Sequence, residues 1–303
     1  MNDIRLPFQN NRNFMGVPSH TQQPICVVGA PTDSAVTYRS GTRFGPSSIR
    51  DASLMLTDGV YDKFPVDIAE YCGDAGDMPI VSGNVEQALS TVEKHYATLC
   101  KNTYVVCLGG DHSITLGIMR ALTASTGPVA VVHFDAHCDT WPDHFGQPYG
   151  HGTWLRDCIE ESLVDPKHVC SIGVRSPVDR ETREYLSGKG GTTISAREAM
   201  KLDPFWMAQS IRHVVGPSLP VYLSLDIDSL DPSFAPGTGT PEIGGLSTIW
   251  LLELLDQLGD LRWCGMDLVE VAPAYDHSQI TALAGATFAW QHISCVSQRF
   301  TST

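Results

Sequence analysis

The sequence predicts a single-domain, three-layer α/β/α fold around a central, mostly parallel sheet. Two observations predict it. Six short apolar runs rich in β-branched residues recur along the 303 residues, and helix-length segments with polar and apolar faces lie between them. Strands buried on both faces read as continuous apolar runs, and alternation of strands with helices implies crossover connections and a parallel sheet. A third observation keeps the chain in one piece. No internal repeat, low-complexity tract or Pro-, Gly- or Ser-rich linker divides it, and α/β domains reach this length.

Residues 1–24 are polar and aromatic without periodicity, and are expected to form an N-terminal arm lying against a surface or a neighbouring subunit. The α/β domain then runs over 25–303. Strands are expected at 25–28, 104–108, 129–134, 169–172, 221–227 and 263–269. Helices are expected at 84–100, where Val85, Ala88, Leu89, Val92 and Tyr96 recur at helical spacing, and at 113–124, 203–215, 247–258 and 279–294. In such a sheet, ligands gather just beyond the carboxyl ends of the strands.

Hydrophobic residues make up 42% and charged residues 18%, and no apolar run approaches the ~20 residues that span a bilayer. The start, MNDIRLPFQNNRNF, has neither the basic opening nor the apolar stretch of a secretory signal. A cytoplasmic location and no membrane partner are expected. The nine cysteines are odd in number and form no CxxC pair, a pattern of free thiols in a reducing compartment. Twenty basic against 34 acidic residues leave a formal charge of −14, which argues against nucleic acid and suits a cationic ligand.

The strongest chemical signal is VVHFDAHCDT at 131–140, where Asp135, His137 and Asp139 alternate after an apolar run. If the strand persists, alternation sets all three on one side. Ionisable groups packed at a buried strand end are costly unless a cation satisfies them; the alternative is a solvated turn. VYLSLDIDSLDP at 221–232 repeats the pattern with Asp226 and Asp228, although Asp before Pro also begins ordinary turns. LGGDHS at 108–113 ends a third strand with Asp111 and His112, where Asp111 can serve as a helix cap. Three such strand ends can converge on one crevice. His112, Asp135, His137, Asp139, Asp226 and Asp228 make four carboxylates and two imidazoles, too many for one ion and suited to two that share carboxylates. An oxygen-rich set without thiolate favours Mn²⁺ over structural zinc.

GGDHS, FDAHCDT, YGHGT, SLDIDSLDPSFAPGTGTPEIGGL and MDLVEVAPAYD, in this order, resemble the arginase and agmatinase ureohydrolases, and most of all their agmatinase-like branch. The resemblance implies that His112 and Asp139 bind one Mn²⁺, His137 and Asp228 the other, and that Asp135 and Asp226 bridge them. It makes His151 the proton-handling histidine and Glu270 the carboxylate that receives a substrate guanidinium, with Asp139 assisting proton delivery to the departing amine. The products would be urea and a primary amine, and the assembly a trimer or hexamer. Cys138 departs from the small or hydroxyl residue more usual between His137 and Asp139; it is expected to pack away from the ligands, the alternative being thiol ligation, which would tilt the metal preference towards a softer ion such as Ni²⁺.

Arginases place Ser, Thr and Asn just after the HxD segment, whereas TWPDHFGQ at 140–147 lacks that pattern. Arginine is therefore disfavoured. Trp141, Phe145 and Tyr149 are expected to line an aromatic entrance suited to an alkyl chain or a cation. Arg39 and Arg43, in YRSGTRFGP at 38–46, are the candidate partners for a substrate carboxylate or for a subunit contact. Agmatine is the leading substrate. The alternatives are 4-guanidinobutanoate or 3-guanidinopropanoate, another guanidine or biguanide, and a non-catalytic partner subunit of an active paralogue. A deacetylase would instead need a single zinc.

Overall fold

The computed structural model describes residues 12–20, 22–81 and 83–301. Eight strands, β1 (Ile25–Ala30), β2 (Cys72–Asp77), β3 (Tyr104–Gly109), β4 (Val129–Phe134), β5 (Val164–Val174), β6 (Thr192–Ser195), β7 (Val221–Asp226) and β8 (Trp263–Val269), form one sheet in the order β2-β1-β3-β8-β7-β4-β5-β6. Every pairing in it is parallel. Because β1, β3, β4 and β7 are buried along their whole length, their unbroken apolar character is what a sheet covered on both faces requires.

One face is covered by α1 (Gly45–Ser53), α6 (Ala196–Ala199), α7 (Pro204–Val215), α8 (Thr248–Gln257) and α9 (Ile280–Ser297), which share a core with Val27, Val106, Leu223 and Leu268. The other is covered by α2 (Val85–Leu99), α3 (Ile114–Thr126), α4 (Trp154–Glu160) and α5 (Arg180–Gly188), packed with Val105, Val131, Tyr222 and Val269. Several helices begin where a side chain accepts an otherwise orphaned backbone N–H: Asn84 from Gln87, Asp179 from Thr182, and Ser195 from Glu198 in a capping box. Among the described residues no helix is long and apolar enough to cross a membrane. All nine cysteines are free.

Two strands and four helices go beyond the sequence expectation. β2 (CGDAGD) and β6 (TTIS) close the two edges of the sheet, where only half of each strand needs covering and apolar side chains are not required. Part of the segment expected to be an arm lies in the core. Phe14, Met15 and Val17 are buried in the main core, and Ser19 bridges Asp74 beside β2. Asp74, buried itself, accepts the Phe14 backbone N–H and the Arg50 guanidinium, so a buried ion pair ties this segment down. Residues 12–20 therefore belong to the domain, while the first eleven residues of the expected arm lie outside the described residues.

His292 on α9 is fully buried between Tyr104, whose hydroxyl is 2.5 Å from Nε2, and the Trp263 ring. Burial, then the nearby Arg299, push its pKa down to about 3. The unfolded chain takes up this proton near the ordinary value of about 6.5 and the native chain does not, so native stability falls as pH drops below that point. At pH 5 the loss from this group is about 2 kcal/mol, at about 1.4 kcal/mol per pH unit. His292→Gln is expected to flatten the fall in stability between pH 7 and 5 by that amount. Denaturant melts across this range check it, and parallel curves would refute it.

Candidate active site

Four central strands in sheet order, β3-β8-β7-β4, carry the charged residues at their carboxyl ends. β3 delivers His112 after Gly109-Gly110. A Cβ on Gly110 would lie 1.8 Å from the Thr32 carbonyl oxygen, so only glycine allows this close approach to the β1 loop. Asp111 ties the turn before α3 to the loop after β1: it accepts from the Ser113 N–H and hydroxyl and from the Ala35 N–H, while the α3 N-cap position itself is Ser113.

β4 ends at Phe134, so Asp135, His137 and Asp139 are not set on one face by a pleat, as alternation implied. They lie on an irregular loop that runs on beside the end of β5, where the Asp135 N–H donates to Ile172 and Ala136 accepts from Arg175 and Ser176, and Asp139 sits at φ +52°. β7 likewise ends at Asp226, and Asp228 lies in the 3-10 turn that follows. Convergence nevertheless occurs. His112 Nδ1 lies 3.1 Å from a carboxylate oxygen of each of Asp135, Asp139 and Asp226. His137 Nδ1 lies 3.2 Å from Asp135 Oδ1 and 3.1 Å from Asp228 Oδ2. Asp135 thus offers one oxygen to each imidazole. The groups His112–His133–Asp135–Asp139 and Asp135–His137–Asp228 each have ligand atoms close enough to hold an ion.

The donor set fits divalent metal. The four aspartates are buried, and burial followed by repulsion from Asp228 and Asp135 pushes the Asp226 pKa well up. Asp139 is raised by burial and by Asp135. Several carboxylates confined this closely keep their charge only beside compensating positive charge, and oxygen and imidazole donors are what a hard or borderline divalent ion prefers. Cys138 is buried and lies outside both groups. Burial raises its thiol pKa, in keeping with a packing role.

Sequence reasoning missed His133, a member of the first of these groups, and the residues behind the cluster. His133 Nε2 is 2.9 Å from Asp135 Oδ2, and its Nδ1 is 3.0 Å from Ser171 Oγ. Trp154 Nε1 donates to Asp139 Oδ2 at 2.7 Å. Ser224 Oγ is 2.8 Å from His112 Nε2 and donates to Asp267. The available signal was a polar residue inside an apolar strand, as in VVHF and YLSLD, which must find a buried partner.

Glu270, just past β8, is 1% exposed and strained at φ +66°. Its Oε1 accepts the His112 backbone N–H and faces His151 Nδ1 at 2.9 Å. Its Oε2 is buried without a partner. Burial raises the Glu270 pKa against the opposing charge of His151. Burial would lower His151, but the Glu270 charge and hydrogen bond outweigh it and leave it raised. Thr37 Oγ1 engages the other ring nitrogen, Nε2, at 2.9 Å.

The cluster opens into a cavity of about 850 Å³, lined by His112, His137, Asp139, His151 and Asp226 at its floor. Trp141, Phe145 and Arg39 also line it. The Trp141 ring lies 3.1 Å from where a Cβ on Gly152 would stand, so Gly152 makes room for it. Tyr149, Arg43 and Glu270 are not among its lining residues; Glu270 lies against His112 and His151, which are. Tyr149 packs on the core beneath α3, its ring under the Arg120 guanidinium, because Arg120 bound to Glu161 offers it a cation face. Arg43 pairs with buried Asp33, which also accepts the Gly41 N–H. Arg43→Ala is accordingly expected to cost about 1–2 kcal/mol of stability and to leave the preference among guanidino substrates unchanged. Thermal melts and substrate competition test both halves; an altered preference would return Arg43 to the substrate.

The arginase-family profile matches residues 23–295. The chain belongs to the arginase family. It is 42% identical to proclavaminate amidinohydrolase of Streptomyces clavuligerus over 278 residues, covering 89% of this chain and 88% of that protein. It is also 42% identical to an agmatinase of Neisseria meningitidis serogroup B over 291 residues, covering 94% and 89%. The solved structure of the Streptomyces enzyme superposes with a TM-score of 0.91 at 38% identity, over 97% of this chain and 99% of that one. This arginase-family ureohydrolase is therefore a hydrolase of the amidino type on the arginase fold, with a His/Asp cluster suited to binuclear metal at its centre.

Proposed function

We propose that the enzyme hydrolyses agmatine to putrescine and urea, using two Mn²⁺ ions held by His112, Asp135, His137, Asp139, Asp226 and Asp228. The observation that carries the choice of substrate is the charge of the cavity mouth. Asp143, Asp179, Glu181 and Glu242 line it against only Arg39 and Arg156. Arg156 is paired with Glu160, and Arg39 lies between the rings of Tyr38 and Tyr275 at 5.1 and 5.0 Å. A distal ammonium is stabilised by such a rim and a carboxylate is repelled. The similarity to agmatinases agrees with this reading.

When bound, divalent ions supply Lewis-acid chemistry: they polarise water to a nucleophile at neutral pH and stabilise negative charge. The side chains do the rest. Glu270 Oε2, buried and unpartnered, receives the guanidinium N–H groups and orients the guanidino carbon over the cluster. Trp154 holds Asp139 so that its carboxylate faces the departing nitrogen. His151, braced by Glu270 and Thr37 and bordering the cavity, carries the proton that the leaving amine needs. Trp141 covers the alkyl chain and excludes water.

One observation favours a second substrate class. Arg39 has a cation face to each tyrosine but no carboxylate partner among the described residues, so a guanidino acid would find a counter-ion there. Urea release from agmatine, 4-guanidinobutanoate, 3-guanidinopropanoate and arginine, with Mn²⁺ and with Ni²⁺, separates the two. Agmatine turnover well above the rest is expected; preference for an acid would replace agmatine, and urea from none would reject both. We further propose that the chain acts in the cytoplasm as a homo-oligomer, a trimer or hexamer, which sedimentation would test.

A further inference from the structure

The imidazole of His112 has two nitrogens with different surroundings, and a chain of buried hydrogen bonds distinguishes them. Asp267 on β8 is fully buried, directly across from Ser224 on β7 in the sheet register. Its carboxylate accepts three hydroxyls: Ser224 at 2.8 Å on Oδ1, and Tyr222 at 2.8 Å and Thr115 at 2.9 Å on Oδ2. Ser224 has a single proton, and it is given to Asp267. The remaining contact of its Oγ, 2.8 Å from His112 Nε2, is then one in which serine accepts and the ring donates. In the neutral ring that metal ligation requires, that leaves Nδ1, the atom 3.1 Å from three carboxylate oxygens, as the lone-pair nitrogen. A lone pair facing three carboxylate oxygens repels them unless a cation lies among them, whereas the opposite tautomer would place a proton where the ion belongs.

We propose that Asp267 is a positioning residue that acts through Ser224 to hold His112 in its Nε2–H tautomer, presenting Nδ1 to one of the two metal ions. The inference rests on the metal-binding reading above. It also explains why two strand interiors, in YLSLD and GMDLV, carry a serine and an aspartate where apolar residues would pack without desolvation cost.

The hydrogen-bond arithmetic makes an unusual prediction. In Asp267→Asn the amide keeps both Tyr222 and Thr115 satisfied only if its oxygen faces them and its NH₂ faces Ser224. Serine then accepts from Asn and must donate to His112 Nε2, which forces the proton onto Nδ1. Ser224→Ala merely removes the constraint. Mn²⁺ titration of the metal-stripped full-length protein, read by electron paramagnetic resonance of free Mn²⁺, gives the affinity of each ion without reference to turnover.

Wild type is expected to bind two ions per chain. Asp267→Asn should weaken one of them by about 100-fold and Ser224→Ala by about 10-fold, within the range for residues that orient a ligand. The double variant should recover to the Ser224→Ala level. A purely structural role predicts additive losses and no recovery. Asp267→Asn within threefold of wild type, or a double variant weaker than both singles, overturns the proposal. If Asp267→Asn does not fold, Ser224→Ala decides alone: unchanged affinity for both ions, or equal weakening of both, rejects it. A wild-type protein that binds no Mn²⁺ would instead reject the metal-binding reading.

Discussion

Asp226→Asn is expected to remove turnover, by at least about 10³-fold in kcat/KM, and to lower bound metal below two ions per chain while the fold survives. Asp226 lies at the last position of β7, with Oδ2 3.1 Å from His112 Nδ1 and Oδ1 accepting the Asp228 backbone N–H at 2.8 Å. Asparagine keeps the shape and, through its carbonyl oxygen, the acceptor for Asp228. The turn that aims Asp228 therefore persists. What disappears is one negative charge in a buried cluster whose only use for so many charges is to hold cations. Without metal the variant should be no less stable than wild type, because burial and the charges of Asp228 and Asp135 disfavour the wild-type carboxylate. Metal analysis, thermal melts and urea assays on the same preparation give all three quantities. A variant that is fully metallated and fully active would sink the ligand assignment.

His151→Ala should separate chemistry from metal binding. Its ring borders the cavity, and both of its nitrogens are engaged by residues outside the proposed ligand set, Nδ1 by Glu270 and Nε2 by Thr37. Turnover is expected to fall by about 10²–10⁴-fold, the usual contribution of a positioned proton carrier, with metal content unchanged at two ions per chain. Loss of the ring also leaves Glu270 Oε1 with only the His112 N–H, so some weakening of substrate binding should accompany the fall in kcat. Equal losses of activity and of metal would show that His151 supports the centre and does not handle the proton.

The central strands were legible because their environment leaves little choice of residue: a strand with helices on both faces must be apolar throughout, and β1, β3, β4, β7 and β8 lie within two residues of where their apolar runs place them. Edge strands β2 and β6 and the short helix α6 obey no such constraint and carry ordinary loop composition. The six candidate ligands were legible as charges placed where burial makes charge expensive. The reason for their convergence was not, since it rests on the loop after β4 and the 3-10 turn after β7 instead of on strand alternation. Arg43 and Tyr149 look like mouth residues in sequence because they neighbour mouth residues. Each is held elsewhere by a partner distant in sequence or across a loop, Asp33 for one and Arg120 for the other.

Taken alone, the sequence determined the class of fold, the identity of the charged cluster and the chemistry that such a cluster serves, because each depends on residue type and local spacing. Tertiary structure alone decided which mouth residues border the cavity, that Glu270 keeps an unpartnered oxygen, and that Asp267 and Ser224 stand behind His112. These depend on which strands lie side by side, and the order β3-β8-β7-β4 joins segments more than a hundred residues apart. Hydrogen-bond direction is a property of that juxtaposition, and no local pattern encodes it.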